Sequence, residues 1–173
     1  MKEPRRAAQA RQDERSSSRD TIAAARKIWA ASQPIVGTPA ETYLRKRKIT
    51  ADLDPASLRY HPALSYRERP GASSRKLPAL VAAVTNHDGE ITGVHRTWLD
   101  PSRNDKVCVS SPRRSLGAIL GNGVRFGTIE DIVLIDEGIE TVLSLKNVLP
   151  DLTMVAALSA SHLAAWDVAR QSG

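Results

Sequence analysis

Three carboxylates lie close together in the sequence, directly after a run of apolar residues. Asp136, Glu137 and Glu140 follow the apolar segment 132–135, and Gly138 lies between the second and third acids. Ligands of parallel sheets collect where strands end and the following helices begin, so acids at this point suit phosphate chemistry. The three could share Mg²⁺, or one could accept a proton from an attacking hydroxyl group. The simpler alternative is that Glu140 stabilises the start of a helix and Asp136 only solvates a strand end.

The residues around these acids predict alternating strands and helices. Two apolar segments are strand-like, IVLI and LTMVAALS, and two have helical patterns, IETVLSLKNVLP and SHLAAWDVA. Ser159 or Ser161 is the expected cap of the second helix. Strand, helix, strand and helix in this order are typical of a parallel sheet with right-handed crossovers. We therefore expect residues 128–173 to form an α/β sheet with the three acids at its edge.

Two helices are predicted in the first part of the chain. The first begins at Asp20, where an alanine-rich amphipathic pattern follows a polar segment. The second begins at Pro39, because Thr38 and Glu41 have the spacing of a capping box and proline suits the first helical position. The basic run RKRK lies at the end of this helix, where cations complement the helix dipole.

An antiparallel hairpin is predicted after these helices. Two strand-like segments flank the sequence NHDG at 86–89, a strong turn signal. Residues 20–127 therefore suit an α+β region of helices and an antiparallel hairpin. The polar segment 1–19 suits a flexible basic tail or a fraying extension of the first helix.

Positive charge is concentrated in the first part of the chain. Residues 1–126 contain 23 Lys and Arg against 12 Asp and Glu, whereas residues 127–173 contain 2 against 7. A basic surface beside an acidic pocket fits a protein that binds polyanions and handles phosphates with a divalent metal. Ordinary solvation of the protein surface is the alternative explanation of the basic residues.

The composition excludes several classes of protein. The single cysteine, Cys108, excludes an internal disulfide framework and a cysteine-based zinc ribbon within this chain. No apolar run approaches the length of a membrane span, and the N-terminal residues lack the apolar core of a signal peptide. We therefore expect a cytoplasmic protein without a membrane partner.

Longer stretches of the sequence resemble a known family. Bacterial-type DNA primases share the Toprim domain with topoisomerases and some nucleases. The first half of this domain is resembled by two strings of the sequence, LIDEGIETVLSL and MVAALSASHLAAW. The region before Toprim in primases and primase-helicases of phages, plasmids and integrated elements is similar to four upstream strings. These are IWAASQPIVGTPAETYLRKRKI, LRYHP, ALVAAVTNHDGEITGVHRTWLDP and SLGAILGNGVRFG. The resemblance covers about Thr21 to the end and implies nucleotidyl transfer in DNA replication of a mobile element.

The resemblance also implies roles for individual residues. It implies Glu137 as general acid or base of nucleotidyl transfer and Glu140 as the family's second acid. Gly138 corresponds to the glycine of the active-site loop. The family uses Mg²⁺, for which Asp136, Glu137 and Glu140 are the candidate ligands in this sequence. The segment that contains Ser159 and Ser161 is similar to a loop that lines the same site.

Basic residues before the Toprim-like part are candidates for binding single-stranded DNA and nucleotides. They are Arg96, Lys106, Arg113 and Arg114. Arg96 is unusual because strand alternation puts it on the same face as Val94 and Trp98. For the two consecutive arginines, surface solvation is an equally open interpretation.

One feature of the Toprim family is missing from the sequence. The family has a pair of aspartates spaced Asp-x-Asp after a third strand, and this sequence reaches Gly173 without such a pair. The resemblance therefore implies an incomplete α/β Toprim-like parallel sheet, a partial Toprim domain, over residues 128–173. Asp167 lies in a helical pattern with no second aspartate. Two hypotheses follow: a primase core fragment that acts with the remainder of the primase, or a catalytically inactive truncated remnant that binds nucleic acid or a replicative helicase. In both cases we expect Mg²⁺ binding to be weak or absent.

Overall fold

The computed structural model describes residues 3–128, 132–164 and 166. Over these residues the protein has an α+β fold, as predicted, with two sheets and four helices. In chain order the elements are α1 (Glu3–Ala30), β1 (Gln33–Pro34), α2 (Pro39–Lys46), β2 (Leu58–Arg67), β3 (Ser74–Thr85), β4 (Ile91–Asp100), β5 (Asp105–Lys106), β6 (Arg113–Gly117), β7 (Val124–Phe126), β8 (Val133–Asp136), α3 (Ile139–Lys146), β9 (Thr153–Ala156) and α4 (Ala160–Ala164).

The larger sheet is antiparallel and curled. Its strands follow the order β1, β2, β3, β4, β5, and β6 also pairs with β4. The predicted hairpin is confirmed: residues 79–85 of β3 pair with residues 91–98 of β4 around the NHDG turn. Gly89 in that turn has a φ of +77°, a conformation that glycine adopts without steric cost. Side chains alternate along β4, so the cross-strand register decides which residues meet on each face.

Each face of this sheet is covered by a different apolar cluster. Helix α1 covers one face, where Trp29, Tyr66 and Trp98 are buried together. Helix α2 and the smaller sheet cover the other face, where the cluster includes Leu44 and Val142. The second cluster therefore contains residues from both sides of the predicted division at residue 127.

The smaller sheet has three strands in the order β7, β9, β8. Strands β8 and β9 are parallel and are connected through α3, which agrees with the predicted strand-helix-strand pattern. Strand β7 pairs antiparallel with β9, so the sheet is mixed. A Toprim-like parallel sheet stays a prediction.

The helix starts differ from the sequence prediction in two details. Helix α1 begins at Glu3, well before Asp20. Helix α2 begins at Pro39 as predicted, but the expected capping box does not form. The Thr38 hydroxyl donates to the Ile35 carbonyl, and Glu41 accepts the backbone N–H of Gly37 at 2.7 Å.

The strands differ from the prediction around the basic segments. In the strand-like sequence KVCVS (106–110) only Lys106 lies in a strand, the short β5, and Cys108 is exposed. Strand β6 was not predicted, because Arg-Arg-Ser-Leu-Gly has little apolar alternation and is a strand only through its pairing with β4. The segment 67–76 has the proline, glycine and serine content of a loop, but β2 and β3 extend into it from both sides.

The described helices include none that is both long and apolar enough to cross a membrane.

Candidate functional site

A cleft of about 680 Å³ opens between the larger sheet and the start of α3. One wall belongs to β4 and β6 and is formed by His95, Arg113, Arg114 and Ser115. The other wall is formed by residues 136–141 together with Leu158 and Leu163. The cleft therefore brings the three predicted acids together with two of the four predicted basic residues.

The loop that carries the first two acids is fixed by backbone contacts. Asp136 Oδ1 accepts the Gly138 N–H at 2.9 Å, which holds the turn between β8 and α3. The carbonyls of Asp136 and Glu137 accept the N–H groups of Ala157 and Leu158 at 2.8 and 2.9 Å. The Glu137 side chain is exposed and makes no hydrogen bond or salt bridge to any described residue. Its carboxylate is therefore available to a ligand in the cleft.

Glu140 is held more tightly than Glu137. It lies in the first turn of α3, and its Oε1 accepts the Tyr43 hydroxyl at 2.6 Å. Its Oε2 lies 3.9 Å from an Arg113 guanidinium nitrogen. Burial raises the pKa of Glu140, but the Tyr43 hydrogen bond, its own N–H, Arg113 and Lys106 together bring this pKa below the ordinary value. Glu140 is therefore ionised at neutral pH.

Tyr43 connects Glu140 to a second ion pair. Its ring is fully buried, and the Arg47 guanidinium lies 3.9 Å from the ring centroid. Arg47 also forms a salt bridge of 2.8 Å with Asp105. The Arg47 hydrogen bond is the main reason that the pKa of Asp105 falls to about 2. Burial, and then Glu140, raise the pKa of Tyr43, which keeps its hydroxyl protonated as a donor.

The opposite end of α3 is attached to the segment after α2. Asn147 Oδ1 accepts the N–H groups of Thr50 and Ala51 at 2.8 Å each, and its amide nitrogen donates to the Lys48 carbonyl at 2.7 Å. Tyr43 attaches the first turn of the same helix. The α2 segment therefore fixes both ends of α3, and with it the position of the acidic loop.

The basic wall of the cleft contains one exposed cation and one neutral imidazole. The Arg113 side chain is 50% exposed, and its contact with Glu140 is long. His95 Nδ1 lies 3.0 Å from the Ser115 hydroxyl. Burial lowers the pKa of His95 to about 4, with Arg113 and Arg96 acting in the same direction and Glu140 opposing them. His95 is therefore uncharged at neutral pH and suited to hydrogen bonding.

Arg96 and Arg114 lie opposite each other on adjacent strands, and their side chains contact the aromatic residues of the α1 face. Arg96 donates to the Arg114 and Ser115 carbonyls, and its guanidinium lies 5.1 Å from the Trp98 ring centroid. The Arg114 guanidinium donates to the Arg67 carbonyl at 2.7 Å and lies 4.9 Å from the Tyr66 ring centroid. Arg96 is not among the residues that line the cleft, so a nucleic-acid role for it stays a prediction.

Lys106, Ser159 and Ser161 also lie outside the cleft lining. Lys106 in β5 contributes to the lowered pKa of Glu140 from a distance. Ser159 accepts the N–H of His162 at 3.2 Å, which makes it the cap of α4, and its hydroxyl lies 3.0 Å from that of Ser161. Asp167 lies outside the described residues.

The acids do not form a metal site by themselves. No group of three His, Cys, Asp or Glu side chains positioned to hold a metal ion occurs within the part of the chain that the structure describes. Glu140 already binds Tyr43, and one oxygen of Asp136 already accepts a backbone N–H. Asp136, Glu137 and Glu140 as ligands of Mg²⁺ stay a prediction, and the ion would need further donors.

Residues 19–126 match a family described as a domain of unknown function (DUF7146). The chain belongs to the DUF7146 family. No curated protein and no solved structure matches the chain. The DUF7146 match ends with β7, so the basic wall of the cleft lies inside the matched region and the acidic wall lies outside it.

Sequence reasoning missed three residues that build the site. Tyr43 lies in α2, and no local pattern connects it with its partner Glu140, which is 97 residues away. His95 and Ser115 meet across β4 and β6, and β6 has no local strand signal that would predict this pair. Strand alternation was the available signal for His95, because it shares a face with Thr97, which lies opposite Arg113.

Proposed function

We propose that the cleft binds the phosphates of a nucleotide or of a nucleic-acid end, as part of a Toprim-type nucleotidyl-transfer core in the replication of a mobile element. The supporting observation is that an exposed carboxylate, Glu137, and a half-exposed guanidinium, Arg113, line the same cleft from two walls. The resemblance of the acidic segment to Toprim sequences supports the reaction class.

Arg113 is the proposed phosphate ligand. A guanidinium binds phosphate oxygens through charged and often bidentate hydrogen bonds. In the absence of a ligand its contact with Glu140 is only a long ion pair, so little has to be broken when phosphate binds. The neutral His95 and Ser115 next to it suit the uncharged sugar or base of the same ligand.

Glu137 is the proposed proton acceptor. In nucleotidyl transfer the 3′-hydroxyl oxygen bonds to the α-phosphorus, the bond to pyrophosphate breaks, and the hydroxyl proton leaves. The Glu137 carboxylate, which bonds to no described residue, is able to accept that proton. The fixed backbone of the Asp136–Gly138 turn would hold it in a constant position.

Binding without catalysis is the second candidate function. It is favoured by the lack of a three-ligand metal group among the described residues. In this case the chain would bind nucleotides or nucleic acid through the same basic wall, and Glu137 would transfer no proton.

Nucleotide binding tests the shared part of the two candidates. We expect a nucleoside triphosphate, titrated into the purified chain by calorimetry, to bind about tenfold or more weakly to Arg113→Gln, because a charged hydrogen bond contributes about 1.5–3 kcal/mol. Lys27→Gln, which removes an exposed cation of α1, is the matched control and should leave the affinity unchanged. Equal affinity of Arg113→Gln and the wild-type chain would refute the proposed cleft.

Primer synthesis separates the two candidates. We expect the chain by itself to show no template-directed synthesis with Mg²⁺ or Mn²⁺, while Glu137→Gln retains nucleotide binding. Synthesis by the wild-type chain that is lost in Glu137→Gln would instead establish catalysis with Glu137 as its proton acceptor.

A further inference from the structure

The tip of the β2–β3 hairpin is strongly basic. Its exposed cations are Arg67, Arg69, Arg75 and Lys76. The single acid of this segment, Glu68, accepts hydrogen bonds from the backbone and hydroxyl groups of Ser110. Arg75 lies 4.0 Å from Glu68 and 5.5 Å from the Tyr66 ring centroid. The other three cations make no hydrogen bond or salt bridge to a described residue. We call Arg67, Arg69 and Lys76 the basic tip.

The basic tip is fixed beside the basic wall of the cleft. Arg114 is the neighbour of Arg113 in β6, and its guanidinium, on the α1 face, donates to the carbonyls of Arg67 and Glu68 at 2.7 and 3.1 Å. The Glu68 contact with Ser110 attaches the tip to the segment before β6. The tip is therefore held by β6, the strand that also forms part of the basic wall of the cleft, and by the segment before it.

Two cations of the tip are on the same side of the sheet as the cleft. Side chains alternate along β3, so Lys76 is on the same face as Leu80. Leu80 is paired with Thr97 across β3 and β4, so Thr97 is also on this face. Thr97 is in turn opposite Arg113 in β6. Arg67 is opposite Ser74, which shares the face of Lys76. The positive charge of the cleft wall thus continues across one face towards the hairpin tip.

We infer that the basic tip binds the phosphate backbone of single-stranded nucleic acid whose end occupies the cleft. This inference rests on the proposed function and extends it from the reacting end to the rest of the strand. Exposed, unpaired cations spaced along a strand and its turn suit a chain of phosphates better than a single small anion. Membrane insertion fits less well, because the exposed large apolar residues in the described part of the chain (Val36, Leu120, Ile132, Val148 and Leu149) lie outside the tip.

A triple variant tests the basic tip. Arg67→Gln, Arg69→Gln and Lys76→Gln together should weaken binding of a fluorescent 20-nucleotide single strand on the order of 100-fold at 0.1 M salt. Each phosphate contact contributes about 0.7 to the steepness of log affinity against log salt, so the loss of three contacts should make this plot less steep by about 2. The control triple removes the same charge from exposed cations elsewhere: Arg19→Gln, Lys27→Gln and Lys48→Gln. It should retain nearly wild-type affinity.

Each outcome is informative for the basic tip. Equal losses in the two triple variants, or no strand binding by the wild-type chain at low salt, would overturn the inference. Binding of phosphatidylserine vesicles that the tip variant loses would also overturn it in favour of a lipid surface. Thermal unfolding of both variants checks that each is folded.

Failure of the tip is distinguishable from failure of the proposed function. Nucleoside triphosphate binding should respond to Arg113→Gln and not to the tip variant. If strand binding depends on the tip but nucleotide binding is unchanged in Arg113→Gln, the basic tip is supported and the proposed phosphate site in the cleft is refuted.

Discussion

The two faces of the larger sheet both carry arginines but use them differently. On the α1 face, Arg96 and Arg114 donate to backbone carbonyls and lie near the Trp98 and Tyr66 rings. On the cleft face, Arg113 is half exposed, and its contact with Glu140 is 3.9 Å long. An arginine on the first face holds strands and aromatic rings together, whereas one on the second face is available to bind a ligand.

This difference shows that the number of arginines in a segment says little about binding. Arg113 and Arg114 are neighbours in sequence, and the pleat of β6 sends their side chains to opposite faces. Charge asymmetry along the chain predicted a basic surface, but only the register decides which cations belong to it.

The largest expected difference is in the stability of two arginine variants. Arg96→Ala removes hydrogen bonds to two carbonyls and the contact with Trp98, so we expect it to lower the free energy of unfolding by about 2–3 kcal/mol. Arg113→Ala should change it by less than about 0.5 kcal/mol, because a half-exposed ion pair contributes little. Urea denaturation measures both. An equal loss of stability in the two variants would show that the arginines of both faces contribute equally to folding.

Much of the fold could be predicted from local patterns, but the site could only be predicted in part. The NHDG turn and the apolar strand before Asp136 have local signals, and both elements are present in the structure. Strand β6 has no such signal, because it depends on pairing with β4. The cleft has one wall from each part of the chain, so its volume and its lining depend on tertiary packing that short segments do not encode.

The next effect tests whether α2 fixes the acidic wall. Tyr43→Phe leaves the partly buried Glu140 without its 2.6 Å hydrogen bond, and we expect a loss of about 2 kcal/mol at pH 7. The pKa of Glu140 is lowered in the folded protein, so this stabilisation is present above the unfolded pKa of the carboxyl group. It is lost as pH falls through the folded pKa. The difference between the variant and the wild-type chain should therefore shrink below about pH 4.

A second tyrosine provides the control for this prediction. Tyr60 is also buried, at 8% exposure, and its hydroxyl has no hydrogen bond to a described residue. Tyr60→Phe should change the free energy of unfolding by less than about 0.5 kcal/mol at either pH. If both variants lose the same stability, the Tyr43 hydrogen bond does not stabilise Glu140.

The smallest effect concerns His95 on the cleft face. Its pKa falls to about 4 in the folded protein because of burial, with Arg113 and Arg96 acting in the same direction and Glu140 opposing them. Between this value and the ordinary 6.5, the unfolded chain binds more protons than the folded one, so stability falls as pH decreases through this window. From pH 6 to pH 5 we expect a loss of about 1 kcal/mol in urea denaturation. His95→Asn retains a group that is able to hydrogen-bond Ser115 but does not titrate, so its stability should be nearly constant over this range. A wild-type curve as flat as that of the variant would mean that the imidazole on the cleft wall is not shielded from water, and it would remove the argument that His95 suits an uncharged part of the ligand.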